Sequence, residues 1–197
     1  LVEIGYEESN IVYCSSRFDA VDKAAKLFEQ NQNKQVAVSK NVKKVIRQIR
    51  AYIHKDYYLG EFLDRGIGYH FGNLPQIIRN KVEGLFKERE INYVFCTSTL
   101  LEGVNLPAKN VFILNNKNGR NTFQPIDFWN LAGRAGRLKH ELSGNIICLK
   151  ETDKDWKKHE ALLEGDAEIK LNPSVENYID KKLKKIEQIL NENPDIK

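Results

Sequence analysis

The feature that most constrains the fold is an alternation of short apolar runs with segments of helical periodicity. Residues 10–16, Asn-Ile-Val-Tyr-Cys-Ser-Ser, form an apolar run that ends in two hydroxyl residues suited to capping a helix. Further strands are predicted at residues 66–71, 93–97, 110–115 and 145–149, and helices at residues 74–89 and 126–135. Buried strands that alternate with helices predict an α/β fold with a mainly parallel sheet and helices on both faces.

In a sheet of this kind, ligands gather beyond the carboxyl ends of the strands. The residues that follow each predicted strand are therefore the first candidates for function. Ser15 and Ser16 end the first apolar run, and Thr97, Ser98 and Thr99 follow the third. We expect these five side chains to lie along one edge of the sheet.

The length of 197 residues suits one domain with an accessory segment and is too short for two full domains. We predict a body of residues 1–150, then a polar linker and a helical extension in residues 151–197 that leads toward a following domain. The last helix is expected at about residues 175–190. Residues 31–63 are predicted to form one amphipathic helix. Its apolar positions are Val42, Val45, Ile46, Ile49 and Ile53.

Charge is unevenly distributed along the chain, whose formal net charge is +4. Residues 151–197 contain 9 basic and 12 acidic residues, a net charge of −3, so that +7 remains on residues 1–150. Residues 30–55 contain no acidic residue. This basic stretch is interpreted either as a solvated helix face or as a surface that contacts phosphates.

The composition, with 41% hydrophobic and 29% charged residues, is that of an ordinary folded domain. No apolar run is long enough to span a bilayer, so no membrane partner is expected. Cys14, Cys96 and Cys148 have no Cys or His at zinc-ligand spacing, which predicts reduced thiols in a cytoplasmic protein without a metal site. No signal peptide is evident, and a chain that starts at Leu1 is expected to be a piece of a larger protein.

Residues 130–137, Asn-Leu-Ala-Gly-Arg-Ala-Gly-Arg, contain the most specific pattern in the chain. Arg134 and Arg137 are three residues apart and are expected on one helical face. Their planar guanidinium groups suit phosphoryl oxygens, and the flanking glycines leave room for a partner surface. The alternative is a frayed helix end with solvated arginines.

Residues 93–107 form a strand followed by three hydroxyl residues, then Gly103 and Asn105. Hydroxyl groups and free backbone amides can hold a phosphate backbone without reading its bases. The alternative is a group of capping residues, since Thr97, Ser98 and Thr99 suit any strand-to-helix turn.

Residues 66–79, 97–107 and 130–137 together resemble the C-terminal half of superfamily 2 helicases in order and spacing. Gly-Val-Asn-Leu-Pro-Ala at 103–108 and Asp-Phe-Trp-Asn-Leu-Ala-Gly-Arg-Ala-Gly-Arg at 127–137 resemble the superkiller-type DExH branch more than the DEAD-box branch. The resemblance covers about residues 10–150. It implies a RecA-like domain, the second of a helicase motor.

The resemblance also implies roles for individual residues. Positions that match motifs IV and V, and that imply contacts with the backbone of single-stranded DNA or RNA, are Ser15, Ser16, Arg17, Thr97, Ser98 and Thr99. Positions implied in nucleotide binding or coupling are Gly103, Asn105, Asn130 and Gly133. Arg134 and Arg137 match the motif VI arginines, which reach ATP phosphates across a cleft. His70 and Arg79 match a recurrent pair with either a supporting role or a substrate contact.

Two positions depart from the family pattern: Asn130 stands where Gln or His is usual, and Leu138-Lys-His-Glu follows Arg137 where this branch often has Gly and Asp. No Gly-x-x-x-x-Gly-Lys-Ser/Thr loop and no Asp-Glu pair at a strand end occur. ATP and Mg are therefore expected to bind chiefly to an N-terminal RecA-like domain of the same parent protein, and this chain alone is expected to be inactive as an ATPase. The competing hypothesis is a nucleic-acid-binding or scaffolding module without motor function.

Overall fold

The computed structural model describes residues 5, 8–31, 38–100, 106–119, 121–136, 144–150 and 156. The strands in these ranges are β1 Asn10–Tyr13, β2 Ile67–His70, β3 Tyr93–Cys96, β4 Asn110–Ile113, β5 Lys117–Asn118, β6 Asn121–Thr122 and β7 Asn145–Cys148. Five of them form one sheet in the order β2-β3-β1-β4-β7, and every pairing in it is parallel. The predicted α/β fold with a mainly parallel sheet is confirmed, and each predicted strand contains an observed one.

The helices in the described ranges are α1 Arg17–Gln30, α2 Lys40–Tyr52, α3 Leu59–Leu63, α4 Gln76–Lys87 and α5 Pro125–Ala132. Each of the longer helices buries an apolar stripe. In α1 the stripe is Ala20, Ala24 and Leu27, at the spacing of one helical face. The helix starts at Ser16, whose Oγ accepts a hydrogen bond from the Asp19 amide at 3.1 Å.

Helices cover both faces of the sheet, as predicted. Gly68 and Tyr69 are neighbours in β2, so they face opposite sides. A Cβ atom on Gly68 would lie 3.0 Å from Cγ1 of Val82 in α4, which places α4 on one face. The Tyr69 ring contacts Phe62 of α3 on the other face, with centroids 6.1 Å apart. Phe62 in turn contacts Phe28 of α1 at 5.2 Å.

Three asparagines in register fix the amino end of the sheet. Asn110 lies between Asn10 and Asn145. The Asn110 amide nitrogen donates to Asn10 Oδ1 at 2.8 Å, and the Asn145 amide nitrogen donates to Asn110 Oδ1 at 2.8 Å. A slip of one residue would separate these side chains, so the row favours one register for β1, β4 and β7.

The prediction of one amphipathic helix over residues 31–63 was wrong. The structure has two helices, α2 and α3, separated by a turn in which the Tyr57 amide donates to the His54 carbonyl at 3.1 Å. The helical periodicity holds through Ile49, which is fully buried, and α2 ends before Ile53. Residues 32–37 lie outside the described residues.

The prediction that a helix continues to residue 135 was also wrong, since α5 ends at Ala132. The Ala108 amide donates to the Arg134 carbonyl at 3.0 Å, and the Gly136 amide donates to the Ala108 carbonyl at 2.9 Å. These bonds form a parallel bridge between Ala108 and Ala135, which competes with further helix. Arg134 therefore lies in a turn beyond α5 and not on a helical face.

Of residues 151–197, the structure describes only Trp156. Its indole nitrogen donates to the Leu149 carbonyl at 2.9 Å. The boundary at residue 150 stays a prediction, and the helix expected at 175–190 lies outside the described residues. Among the described helices, none combines the length and apolar character that crossing a bilayer requires.

Candidate functional site

The carboxyl ends of β1 and β3 lie side by side. The Cys14 amide donates to the Cys96 carbonyl at 2.8 Å, one residue beyond each strand. Ser15 and Thr97 follow these residues directly. The structure therefore brings the two groups of hydroxyl residues to one edge of the sheet, and we call this the carboxyl edge.

The first group lies at the start of α1. Ser15 is partly buried, and its Oγ accepts a hydrogen bond from the Asn115 amide nitrogen at 3.3 Å. Ser16 and Arg17 are exposed. The Arg17 guanidinium carbon lies 4.9 Å from the ring centroid of Phe18, whose side chain is 74% exposed. Ser16 caps the helix, so its local role is structural even though its side chain reaches solvent.

The second group forms a 3₁₀ turn, Ser98–Leu100, after β3. Thr97 Oγ1 lies 3.3 Å from Thr99 Oγ1, within hydrogen-bond distance. All three hydroxyl residues are partly buried, and Leu100 is fully buried and anchors the turn. A Cβ atom on Gly72, after β2, would lie 3.1 Å from Cγ2 of Thr99, so the β2 loop supports the turn closely.

His70 connects this turn to α4. Its carbonyl accepts a hydrogen bond from the Thr97 amide at 3.3 Å. Its imidazole is 1% exposed, with Nε2 located 2.9 Å from Glu83 Oε1. Burial lowers the pKa of His70, and nearby Arg79 lowers it further, against the opposing effect of Glu83. A neutral His70 therefore donates from Nε2 to the Glu83 carboxylate.

Arg79 itself lies on α4 and donates to the Gln76 side chain. Of the two residues that resembled a recurrent pair, His70 joins the end of β2 to α4 and to Thr97, whereas the hydrogen bond of Arg79 stays within α4.

Arg134 lies close to the same edge. Burial raises the pKa of the Cys96 thiol to about 12, and the Arg134 guanidinium acts in the opposite direction, which places that charge near the end of β3. Arg134 is partly exposed and follows Gly133, the C-terminal cap residue of α5. Asn130 is exposed on α5. Gly103, Asn105 and Arg137 lie outside the described residues.

Sequence reasoning missed a group of polar residues beside Ser15. A cleft of about 290 Å³ opens there. Its polar lining includes Ser15, Asp19, Lys23, Asn115, Asn116 and Lys117. The last three follow β4, so the rule that selected the residues after β1 and β3 also applies to this Asn-Asn-Lys sequence. The short antiparallel pair β5 and β6 then carries the chain onward to α5.

A family model described as "Helicase conserved C-terminal domain" matches residues 11–139. Anti-bacteriophage protein B of Escherichia coli (strain K12) is 40% identical over 93 residues, which are 47% of this chain and 13% of that protein. Superkiller complex protein 2 of Homo sapiens is 35% identical over 107 residues, 52% of this chain and 8% of that protein. ATP-dependent DNA helicase homolog MER3 of Arabidopsis thaliana is 29% identical over 164 residues, 76% of this chain and 14% of that protein. The chain thus spans a small part of each of these relatives.

Proposed function

The chain belongs to the helicase conserved C-terminal domain family, and we propose that it acts as the second motor domain of an ATP-dependent DNA or RNA helicase or translocase. The resemblance to the C-terminal RecA-like domain of superfamily 2 DExH helicases is confirmed by this match and by the relatives. The observation that most supports the proposed mechanism is the carboxyl edge. There, residues after two neighbouring strands meet close to Arg134.

In this proposal, the hydroxyl residues bind the sugar-phosphate backbone of a single strand. Ser15, Ser16 and Arg17 lie at the amino end of α1, where the helix dipole favours anions. Thr97, Ser98 and Thr99 add neutral donors from the adjacent turn. Such groups contact features that DNA and RNA share, so the proposed strand is either polymer, bound without base preference.

Arg134 and Arg137 act as arginine fingers in this mechanism. ATP with its magnesium ion supplies the transferable phosphoryl group and is held chiefly by an N-terminal RecA-like domain. Each guanidinium would donate to phosphoryl oxygens as negative charge develops on them, in a cleft between the two domains. Gly133 leaves that approach open, and Gly103, Asn105 and Asn130 are proposed to couple the nucleotide to the strand.

The test replaces Arg134 or Arg137 by Ala in the complete parent protein. Each variant should lose nucleic-acid-stimulated ATP hydrolysis by about 10³-fold or more, because arginine fingers contribute about 10³–10⁵ in NTPases. Equilibrium ATP binding should weaken only moderately. Arg134→Lys should restore little activity, since an ammonium lacks the planar pair of donors. Single-turnover hydrolysis beside nucleotide binding separates the two effects.

Lys87→Ala, on the exposed end of α4, is the control and should hydrolyse ATP at the wild-type rate. If both arginine variants hydrolyse ATP at near-normal rates with saturating nucleic acid, the arginines are structural. The non-motor nucleic-acid-binding or scaffolding module would then be the better description.

A further inference from the structure

The exposed face of α2 carries positive charge that the fold does not require. The helix contains no acidic residue and five cations, Lys40, Lys43, Lys44, Arg47 and Arg50. All five are exposed, and none pairs with a carboxylate among the described residues. In α1, by contrast, Asp22 accepts a hydrogen bond from Lys26 at 2.9 Å, one helical turn away.

Like charges one turn apart destabilise a helix, and cations in its first turn oppose the helix dipole. Lys43, Arg47 and Arg50 follow one another at intervals of four and three residues, so they repel. The apolar face of α2 already accounts for its packing, since Val42, Val45, Ile46 and Ile49 are buried. The row of cations is therefore better explained by an anionic ligand than by folding.

Three of these cations, Lys43, Arg47 and Arg50, border a groove of about 660 Å³ between α2 and α3. Phe28 and Ile46 contribute apolar surface to it. The two helices are in contact at Gly60, where a Cβ atom would lie at an ordinary contact distance of 3.5 Å from Cγ2 of Ile46. On the α2 side the lining residues are Lys43, Arg47 and Arg50, which the helical rise separates by about 6 and 4.5 Å along the axis. On the opposite side they are Glu61, Asp64 and Arg65, so the row of positive charge belongs to the α2 side of the groove. Such a regular row suits a repetitive polyanion.

Helix α2, which forms one side of the groove, runs toward the carboxyl edge. Near the start of α2, the Asn41 amide nitrogen donates to Glu90 at 2.8 Å, three residues before β3 begins. Beyond the end of α2, the Tyr57 ring packs against Tyr69, the third residue of β2, with centroids 6.3 Å apart. The helix therefore leads from the amino side of the sheet to the side where the hydroxyl turn lies.

We propose that the groove between α2 and α3 is a second binding site for the phosphate backbone of nucleic acid, outside the carboxyl edge. It holds the strand where that strand leaves the hydroxyl residues and descends along the β2 side of the sheet. The proposal rests on the proposed function, because the strand at the carboxyl edge is the source of the bound segment.

The experiment measures binding of the full chain to a fluorescent 20-nucleotide oligothymidylate at several salt concentrations. Lys43→Ala/Arg47→Ala should reduce the slope of log K against log salt by about 1.4, since each phosphate neutralised on a single strand contributes about 0.7. The matched control, Lys81→Ala/Lys87→Ala on α4, removes the same charge and should keep the wild-type slope. The thermal midpoint of Lys43→Ala/Arg47→Ala should equal or exceed that of the wild type, because repulsion within α2 is relieved.

A further variant, Thr97→Ala/Ser98→Ala, separates the two sites. If it weakens binding while Lys43→Ala/Arg47→Ala leaves the slope unchanged, the second site is overturned and the proposed function stands. Absence of wild-type binding at every salt concentration would overturn the proposed function and the groove with it. An equal reduction of the slope in Lys43→Ala/Arg47→Ala and in the control Lys81→Ala/Lys87→Ala would overturn the proposed binding site in the groove. The site would also be overturned if Lys43→Ala/Arg47→Ala kept the wild-type slope with oligothymidylate but lost binding of poly-L-glutamate that the wild type shows. That result would assign the groove to an acidic protein.

Discussion

His70 is almost fully buried at the end of β2, and its backbone and side chain have different tasks. The carbonyl holds Thr97, while the imidazole holds Glu83 of α4. Nδ1 of the same ring has no hydrogen-bond partner among the described residues. Protonation would therefore place a charge in a buried site with a single carboxylate to balance it, which is the physical basis of its lowered pKa.

This residue should make stability depend on pH. The unfolded chain protonates His70 near its usual value of 6.5, whereas the folded chain keeps it neutral to lower pH. The unfolded state then binds more protons, so the free energy of unfolding should fall as pH decreases from about 6.5 toward the folded pKa. Denaturant unfolding at pH 7.5 and 5.5 should show a smaller pH-dependent difference in His70→Gln than in the wild type.

His54→Gln is the matched control, because His54 is exposed on the turn between α2 and α3. It should retain the wild-type pH difference. An equal difference in the wild type and in His70→Gln would mean that His70 does not contribute to this pH dependence.

At the residue scale, the positions of the hydroxyl residues could be predicted from the sequence better than the position of Arg134. Ser15 and Thr97 could be placed because strand ends in a parallel sheet share an edge, whatever the exact strand limits. Arg134 was wrongly predicted to lie in a helix. The helix ends earlier because Ala135 pairs with Ala108, and this contact between distant segments cannot be seen in the local sequence. Asn115 was missed because it belongs to no motif, although it donates to Ser15.

At the scale of elements, α4 packs on the sheet over a residue without a side chain. A Cβ atom on Gly68 would lie 3.0 Å from both Ile91 Cδ1 and Val82 Cγ1. Gly84, in the same helix as Val82, has open space where its Cβ would be. The two glycines therefore offer opposite tests of this contact.

Gly68→Ala should lower the free energy of unfolding by about 1–3 kcal/mol, because the added methyl overpacks the interface between α4 and β2. Gly84→Ala should raise it by about 1 kcal/mol, because alanine loses less backbone entropy in a helix. Chemical denaturation of both variants measures the difference. A neutral or stabilising Gly68→Ala would show that α4 shifts easily on the sheet.

Elements with strong periodicity were predicted, whereas short or tertiary ones were not. The strands of the five-stranded sheet were found because each contains an apolar run, which is buried in β1 to β4 and partly exposed in β7. Helix α2 was found because four apolar residues repeat at helical spacing. The five residues of α3 are too few to show a period. The β5 and β6 pair has only two residues in each strand and no apolar alternation. Its existence depends on contacts with the sheet, such as the hydrogen bond from the Tyr13 hydroxyl to the Lys117 carbonyl at 3.1 Å.

At the scale of the whole molecule, the proposed function gives this chain one side of a binding groove. In the proposed motor, the other side belongs to the N-terminal RecA-like domain. The body of residues 1–150 carries the excess positive charge, so the attraction of this chain to phosphates does not depend on the N-terminal domain.

The isolated chain should therefore bind single-stranded nucleic acid weakly, with a Kd of about 10⁻⁴–10⁻⁶ M, and with strong salt dependence from counterion release. Preference among sequences should be slight, since phosphates are the same at each position. A filter-binding titration with three unrelated oligonucleotides measures both properties. Tight, salt-insensitive or base-specific binding would contradict a one-sided groove.

The bridge between Ala108 and Ala135 also limits how the molecule can move. The Arg134 carbonyl and the Gly136 amide are both bonded to Ala108, so the backbone on either side of Ala135 is clamped to one residue. A displacement of the segment that precedes β4 must either carry the Arg134 backbone with it or break two hydrogen bonds. Because that segment follows the hydroxyl turn in the sequence, we expect that in the proposed motor a nucleic-acid strand that displaces the turn would also displace the backbone of Arg134.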